Sequence, residues 1–380
     1  MIPYSRQSID ETDIAAVKAV LRSDFLTQGP ANERFERDFA RLHQTRHAIA
    51  MSNATVALHL GCLALGVGHG DRVWTSPISF VASANCALYC GAKVDFVDID
   101  PRSRLMCVSA LEEKLKIADQ EGKLPRVVIP VDLTGMPCDY ANIRRLADKY
   151  GFAVLADASH AVGAQYEGTP LGSRYVDAAV FSFHAVKVVT CGEGGLLATN
   201  NDALAERVRL LRSHGITRDP DAMERVSPGG YYYEQLILGF NARMTDMQAA
   251  LGASQLARLP KMHASRVAAA DRYDTLLAGS GWIRPQTYDD RVSAWHLYVV
   301  EREDNDQAER DRTFARLRAD GIGANLHYLP ITSQPYYEKL GFSSSDFPAA
   351  KLYGERALTI PLFPAIEDAL IERTVHLLTQ

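Results

Sequence analysis

The chain has no Cys-x-x-Cys pair; its six cysteines, Cys62, Cys86, Cys90, Cys107, Cys138 and Cys191, are scattered. That spacing excludes a zinc knuckle or a disulfide framework and fits a reducing cytoplasm, with no metal site expected. The segment from Met1 to Asp13 lacks the basic start and apolar core of a signal peptide. An excess of positive charge is also missing, since 41 basic residues stand against 46 acidic ones for a formal charge of −5. Such a balance supplies no field for steering onto nucleic acid or an anionic membrane, so any anionic ligand needs a local site. No Gly-x-Gly-x-x-Gly follows an early strand, which removes the main signal of a nicotinamide dehydrogenase. Internal repeats are absent as well. Two charge-free stretches, Ala48–Gly68 and Val73–Ala92, reach the length of a membrane span. Each is interrupted throughout by Ser, Thr, Asn or Gly and reads as a strand or turn followed by a buried helix.

What is present is a chain of 380 residues, 47% hydrophobic, long and apolar enough to bury two cores. From about residue 10 to 255, short apolar runs alternate with helical patterns. The expected strands are His47–Met51, Arg72–Thr75, Val94–Asp98, Val127–Asp132, Phe152–Ala156, Ala178–Phe183 and Gly195–Thr199. Helical patterns intervene near 55–66, 81–90, 109–118, 140–150 and 202–213. This alternation predicts an α/β fold with a mostly parallel seven-stranded sheet covered on both faces. No helix separates the last two strands, so the sheet is expected to be mixed there. A long helix opens at Thr245–Leu259. Beyond it, Leu297–Val300 and Gly323–Leu326 read as strands and Gln307–Asp320 and Ile366–Leu378 as helices. The expected division is a large α/β domain over 1–255 and a smaller C-terminal α+β domain over 256–380, with Asp219–Gly230 as a mobile loop.

Three segments carry chemistry. In Ser52-Asn53-Ala54-Thr55, small residues lead from a strand into an apolar helix, whose unpaired N–H groups form a natural phosphate cradle. An ordinary N-cap is the plainer reading of the same residues. Asp157 ends the apolar run from Phe152 and so sits at the carboxyl edge of the sheet, where open α/β sheets place ligands; a turn or cap residue is its alternative. Lys187 follows the strand ending at Ser182–Phe183 and is flanked by Ala185, Val186, Val188 and Val189. An apolar setting disfavours its ammonium form and improves it as a nucleophile, whereas a loop lysine otherwise snorkels to water. Order and chemistry together fit one cofactor. Pyridoxal 5′-phosphate needs an amine for its aldehyde, a carboxylate for its ring nitrogen, a phosphate cradle and an aromatic face. Lys187, Asp157, the Asn53–Thr55 turn and Phe80 meet those four needs.

At this point the sequence resembles the sugar-nucleotide aminotransferases of the DegT/DnrJ/EryC/StrS group, which are fold-type I transferases dependent on pyridoxal phosphate. The likeness runs from Asp24–Pro30 to Ile360–Pro364. It is carried by Ser52–Leu58, Thr75–Ala84, Phe96–Asp100, Asp157–Ala164, Ser182–Gly195 and Gly239–Asp246. The resemblance implies that Lys187 binds the cofactor covalently and moves the proton, and that Asp157 pairs with the ring nitrogen. It places His160 beside the ring, and Ala54, Thr55 and Ser182 on the phosphate. It implies a homodimer with shared active sites, in which Asn241 reaches the phosphate from a second subunit. Tyr4, Leu26, Thr27, Arg243, His327 and Tyr328 match segments lining the pocket for the nucleotide-linked keto sugar. Several segments, including Arg212–Gly215, look closest to transaminases of the pseudaminic-acid pathway. That class aminates C4 of a UDP-linked 4-keto-6-deoxy-N-acetyl sugar with L-glutamate as donor. Two positions depart from the family pattern: Val188 replaces a common proline, and Ala242 stands where an aromatic is frequent. Related sugar dehydratases carry histidine at the lysine position, and a non-catalytic binding protein on this scaffold would have no use for Lys187 or Asp157.

Overall fold

The computed structural model describes residues 1–380. Two helices, α1 (Glu11–Leu21) and α2 (Pro30–His43), precede a seven-stranded sheet. Its strands are β1 (His47–Met51), β2 (Arg72–Thr75), β3 (Lys93–Phe96), β4 (Val127–Ile129), β5 (Ala153–Asp157), β6 (Ala178–Ser182) and β7 (Gly195–Thr199). The spatial order is β1-β7-β6-β5-β4-β2-β3. The five strands from β3 to β6 run parallel, while β7 lies antiparallel between β6 and β1. The mixed pairing thus falls where no helix separates two strands. Helices α3 (Ala54–Ala64), α4 (Ala82–Tyr89), α5 (Val108–Gln120), α6 (Tyr140–Tyr150) and α7 (Asp202–Arg212) are the crossovers and flanking layers. The charge-free stretches resolve into β1 with α3 and β2 with α4. No helix is long and apolar enough to cross a membrane.

Helix α8 (Asp246–Leu276) is the long helix that opens at Thr245, and it continues well past Leu259. Pro260 lies inside it, although a proline within a helix removes a hydrogen bond and costs about 3 kcal/mol. Apolar burial on both sides offsets that cost: Leu256, Leu259 and Met262 join the main core, and Ala269, Ala270 and Tyr273 join a second one. The expected boundary at 255/256 therefore lies inside a continuous helix that enters both cores. Thr245 caps α8 through the N–H of Gln248, whose side chain returns to the Thr245 N–H. Asp246 is buried and accepts from the N–H groups of Gly29 (3.0 Å) and Ala31 (3.2 Å), so it closes the start of α2 as well.

The second core holds a sheet of Trp282–Ile283, Tyr298–Arg302 and Ala357–Ile360 with helices Gln307–Ala319 and Asp368–Thr379. The expected strand at Gly323–Leu326 forms only a single bridge, Asn325 to Thr359. Ala357–Ile360 pairs fully with Tyr298–Glu301 and takes the ladder position instead. Within the large lobe, α8 lies on α2 at Gly252. A Cβ there would meet Cys191 Sγ at 2.6 Å and Phe35 Cε2 at 2.7 Å. Alanine favours a helix over glycine by about 1 kcal/mol, but overpacking costs about 1–3 kcal/mol. Gly252→Ala is therefore expected to lower the midpoint of urea unfolding, and an unchanged or higher midpoint would show that the helix slides to make room.

Candidate active site

The carboxyl ends of the parallel strands and the start of β7 meet at one edge of the sheet. A cavity of 1140 Å³ opens there, lined among others by Ala54, Thr55, Phe80, Asp157, His160, Ser182 and Lys187. Its far wall comes from the N-terminal segment and the C-terminal lobe, which contribute Tyr4, His296, Asn325, His327 and Tyr328.

At the floor, Asn53 accepts the Val56 N–H (2.9 Å) through its side chain and the Ala57 N–H (3.2 Å) through its carbonyl. The remaining free donors of the first turn of α3 are those of Ala54 and Thr55, which line the cavity. Gly195 makes this possible. A Cβ at that position would lie 2.2 Å from the Asn53 carbonyl carbon and 2.4 Å from the Ala54 nitrogen. Strand β7 thus passes directly against the turn, and Gly195 pairs with Met51 on one side and Ser182 on the other.

Asp157 is buried at the end of β5, where Ser83 Oγ donates to its Oδ2 at 2.5 Å and the Ser159 N–H to its Oδ1 at 3.2 Å. Ser83 belongs to α4 and went unnoticed in the sequence because its hydroxyl lies within a stretch of small residues. Beside it, Asp132 is buried under the Tyr140 hydroxyl (2.8 and 2.9 Å) and the Cys138 N–H (2.8 Å). Burial pushes Asp132 up to about 7, and the charge of Asp157 adds to that push.

Lys187 lines the same cavity, near enough to Asp157 to feel its charge. Burial drives its amine down to about 8, against the pull of the Asp157 charge. Three histidines, His160, His296 and His327, stand around the same amine, and all are held neutral well into acid, chiefly by burial and also by Lys187. His327 is pushed down to about 3. His296 has no counterpart among the sequence expectations; a lone histidine in the strand-like run Ser293–Val300 gives no sign of facing a cavity. Its ring lies 4.6 Å from that of His160, and its Nδ1 is buried without a partner. Phe80 stands exposed at the mouth, its ring 6.4 Å from that of Tyr328.

Four expected residues lie elsewhere. Leu26, Thr27, Asn241 and Arg243 do not line this cavity. The Leu26 carbonyl accepts the Asp246 N–H, Thr27 bridges to Thr245, Arg243 to Met51 and Asn241 to Ser213. These contacts tie the four to the segments around the α8 amino terminus and to the ends of β1 and α7. Leu26, Leu238 and Phe240 are exposed on the same segments.

A sheet of this order with a helix amino terminus at its carboxyl edge is the scaffold of fold-type I enzymes that use pyridoxal phosphate. The residues suit that group by their own chemistry: two unpaired main-chain donors for a phosphate, a buried carboxylate and an amine that burial keeps reactive. The chain belongs to the DegT/DnrJ/EryC1/StrS aminotransferase family, whose model matches residues 7–379. It is a sugar aminotransferase dependent on pyridoxal phosphate. It is 37% identical over 380 residues to the spore coat polysaccharide biosynthesis protein SpsC of Bacillus subtilis (strain 168), covering 99% of this chain and 95% of that one. Spr1654 of Streptococcus pneumoniae, a sugar aminotransferase solved in PMP and PLP forms, superposes in its PMP form with a TM-score of 0.92 at 30% identity. That match covers 100% of this chain and 98% of the other. PseC of Helicobacter pylori, an aminotransferase of pseudaminic acid biosynthesis, gives 0.90 at 28% identity, covering 99% and 98%.

Two outcomes follow from this geometry. Gly195→Ala is expected to unseat the α3 amino terminus and weaken cofactor retention at least about tenfold, as the loss of a few charge-assisted hydrogen bonds requires; dialysis against free cofactor measures it. For Lys187 the sign comes from a folded-state value near 8 against an ordinary 10.5. The unfolded chain binds more protons between those values, so burying the amine destabilises the fold fully below pH 8 and ceases to do so near pH 10.5. Lys187→Met should accordingly raise the Tm of cofactor-free protein at pH 7, with the gain shrinking across that window. A gain independent of pH would contradict it.

Proposed function

We propose that the enzyme transfers the amino group of L-glutamate to the C4 keto group of a UDP-linked 4-keto-6-deoxy-N-acetylhexosamine. One observation carries the reading: Lys187 and Asp157 share a single cavity with the free donors of α3, and its 1140 Å³ exceeds the roughly 300–1,000 Å³ of ordinary small-molecule pockets. The volume suits a cofactor and a nucleotide sugar together.

When bound, pyridoxal phosphate supplies an aldehyde that joins amines and a ring that takes up electron density from a carbon losing its proton. Lys187 Nζ would hold that aldehyde at rest. Freed from it, the same amine would take the proton from the amino acid's α-carbon and later return it; burial lowers its value to about 8, so it can both accept and release a proton near neutrality. Asp157 would keep a proton on the ring nitrogen, its carboxylate oriented by Ser83. Ala54 and Thr55 N–H groups and the Ser182 hydroxyl would hold the phosphate, with His160 beside the ring. Phe80 would lie against the ring from the mouth, and Val186, Leu326 and Tyr328 add apolar surface to the cavity. Tyr4, His327 and Tyr328 are assigned to the sugar nucleotide.

A homodimer completes this reading. The lining includes Lys187 but no arginine, which leaves a diphosphate without a cationic partner in one chain. Asn241, Arg243, Leu26 and Thr27 would enter the cavity of a second copy, where their exposed apolar neighbours Leu238 and Phe240 would be covered. The cytoplasm, where thiols stay reduced, suits six free cysteines, of which Cys62 and Cys86 lie 3.8 Å apart.

A different nucleotide or a C3 keto group is the second reading. Its ground is that PseC, at 28% identity, is a more distant relative than SpsC, a protein of spore coat polysaccharide biosynthesis, at 37%. Mass spectrometry of products from UDP-, dTDP- and GDP-linked keto sugars, each with glutamate, separates the two; turnover confined to a dTDP or GDP sugar would discard the UDP assignment. Lys187→Ala is expected to lose the visible absorption of the cofactor adduct and at least about 10³-fold in turnover. Borohydride should tag Lys187 and no other residue. Initial rates should show ping-pong kinetics, both half-reactions using one site.

A further inference from the structure

Behind His160 two non-glycine residues adopt left-handed backbone, Thr134 (φ 62°) and Trp295 (φ 48°). For a β-branched residue this conformation is rare and marks a place where the surrounding structure imposes it. The two turns hold one another. The His296 and Leu297 N–H groups donate to the Thr134 carbonyl at 2.9 and 3.3 Å, and the Ala294 N–H donates to the Gly135 carbonyl at 2.9 Å. Gly135 leaves no room for a side chain, since a Cβ would come within 2.9 Å of the His160 carbonyl oxygen. From α8, the fully buried Arg266 donates to the carbonyls of Trp295 (3.1 Å), His296 (3.3 Å) and Leu362 (3.1 Å). None of these contacts is needed for the cofactor chemistry described above.

Their product is a directed main-chain donor. The Thr134 N–H points at His160 Nδ1, 3.2 Å away. A peptide N–H can only donate, so Nδ1 carries the lone pair, and a neutral ring must hold its proton on Nε2. There the partner is the Tyr328 hydroxyl oxygen at 3.3 Å. Burial beside Lys187 keeps the ring neutral, and burial likewise keeps the Tyr328 hydroxyl protonated. With its oxygen accepting from His160, that hydroxyl has its own proton available to the cavity, which both residues line.

We propose that Thr134 is a positioning residue: its main-chain N–H holds His160 as the Nε2–H tautomer and thereby makes the Tyr328 hydroxyl a hydrogen-bond donor to an oxygen of the bound keto sugar. The role of the tyrosine rests on the sugar-aminotransferase reading; the tautomer does not. Histidine-selective ¹⁵N NMR of the holoenzyme, with the His160 signals identified by their loss in His160→Gln, should show Nε2 protonated and Nδ1 bare between pH 6 and pH 8. A dominant Nδ1–H form or an imidazolium overturns the proposal without reference to any substrate. Thr134→Gly relieves the left-handed backbone and frees the peptide to turn. It should leave Tm no lower, mix the two tautomers and raise KM for the keto sugar about tenfold, the value of one hydrogen bond. Tyr328→Phe should raise KM by a similar factor with the tautomer unchanged. The double variant should show no further rise, because Thr134 acts through Tyr328. Additive effects, or a KM untouched by Thr134→Gly, overturn the relay.

Discussion

The site depends on one close approach, that of β7 to the amino terminus of α3. Gly195 has only a hydrogen where any other residue would strike the Asn53–Ala54 peptide. Because β7 runs antiparallel between β6 and β1, its first residue lies at the same edge as the last residues of its neighbours. That arrangement brings the free donors of α3, the Ser182 hydroxyl and the loop carrying Lys187 to one corner. A parallel strand in that place would have put its glycine at the opposite end of the sheet.

Electrostatics at this corner are governed by desolvation more than by pairing. Burial dominates the shifts of Lys187, His160, His296, His327 and Asp132, and neighbouring charges only adjust them. The result is a cluster with many nitrogens and little positive charge, in which an amine near neutrality can gain and lose a proton. A carboxylate hydrogen-bonded by Ser83 is the counterweight. Protonating the three histidines would surround Lys187 with cations, which their burial prevents.

The sheet was legible because each strand is a short apolar run with a helical pattern after it, and the seven runs are the seven strands with small shifts at the ends. Lys187 and Asp157 stand out for a related reason, one as a charge inside an apolar run and the other as a charge at the end of one. Residues that act through a hydroxyl, a peptide group or the lack of a side chain gave no such contrast. Ser83 is lost among small neighbours, Thr134 contributes only its N–H, and Gly195 matters because of a turn more than a hundred residues away. How far α8 runs past Pro260 depends on apolar contacts supplied by two cores, which local propensity does not show. Nor does a sequence show that Leu26, Thr27, Asn241 and Arg243 lie off the cavity of their own chain.

Helix α8 also sets the mechanics of the molecule. Its 31 residues make a rod of about 46 Å, gripping the start of α2 through Asp246 at one end and suspending the Trp295 and Leu362 carbonyls from Arg266 further along. A rotation of about 5° about its first turn would carry its far end about 4 Å. His327 bonds Thr359 in the sheet of the C-terminal lobe, whereas Tyr328 packs against the main core, so such a rotation would move the two against each other.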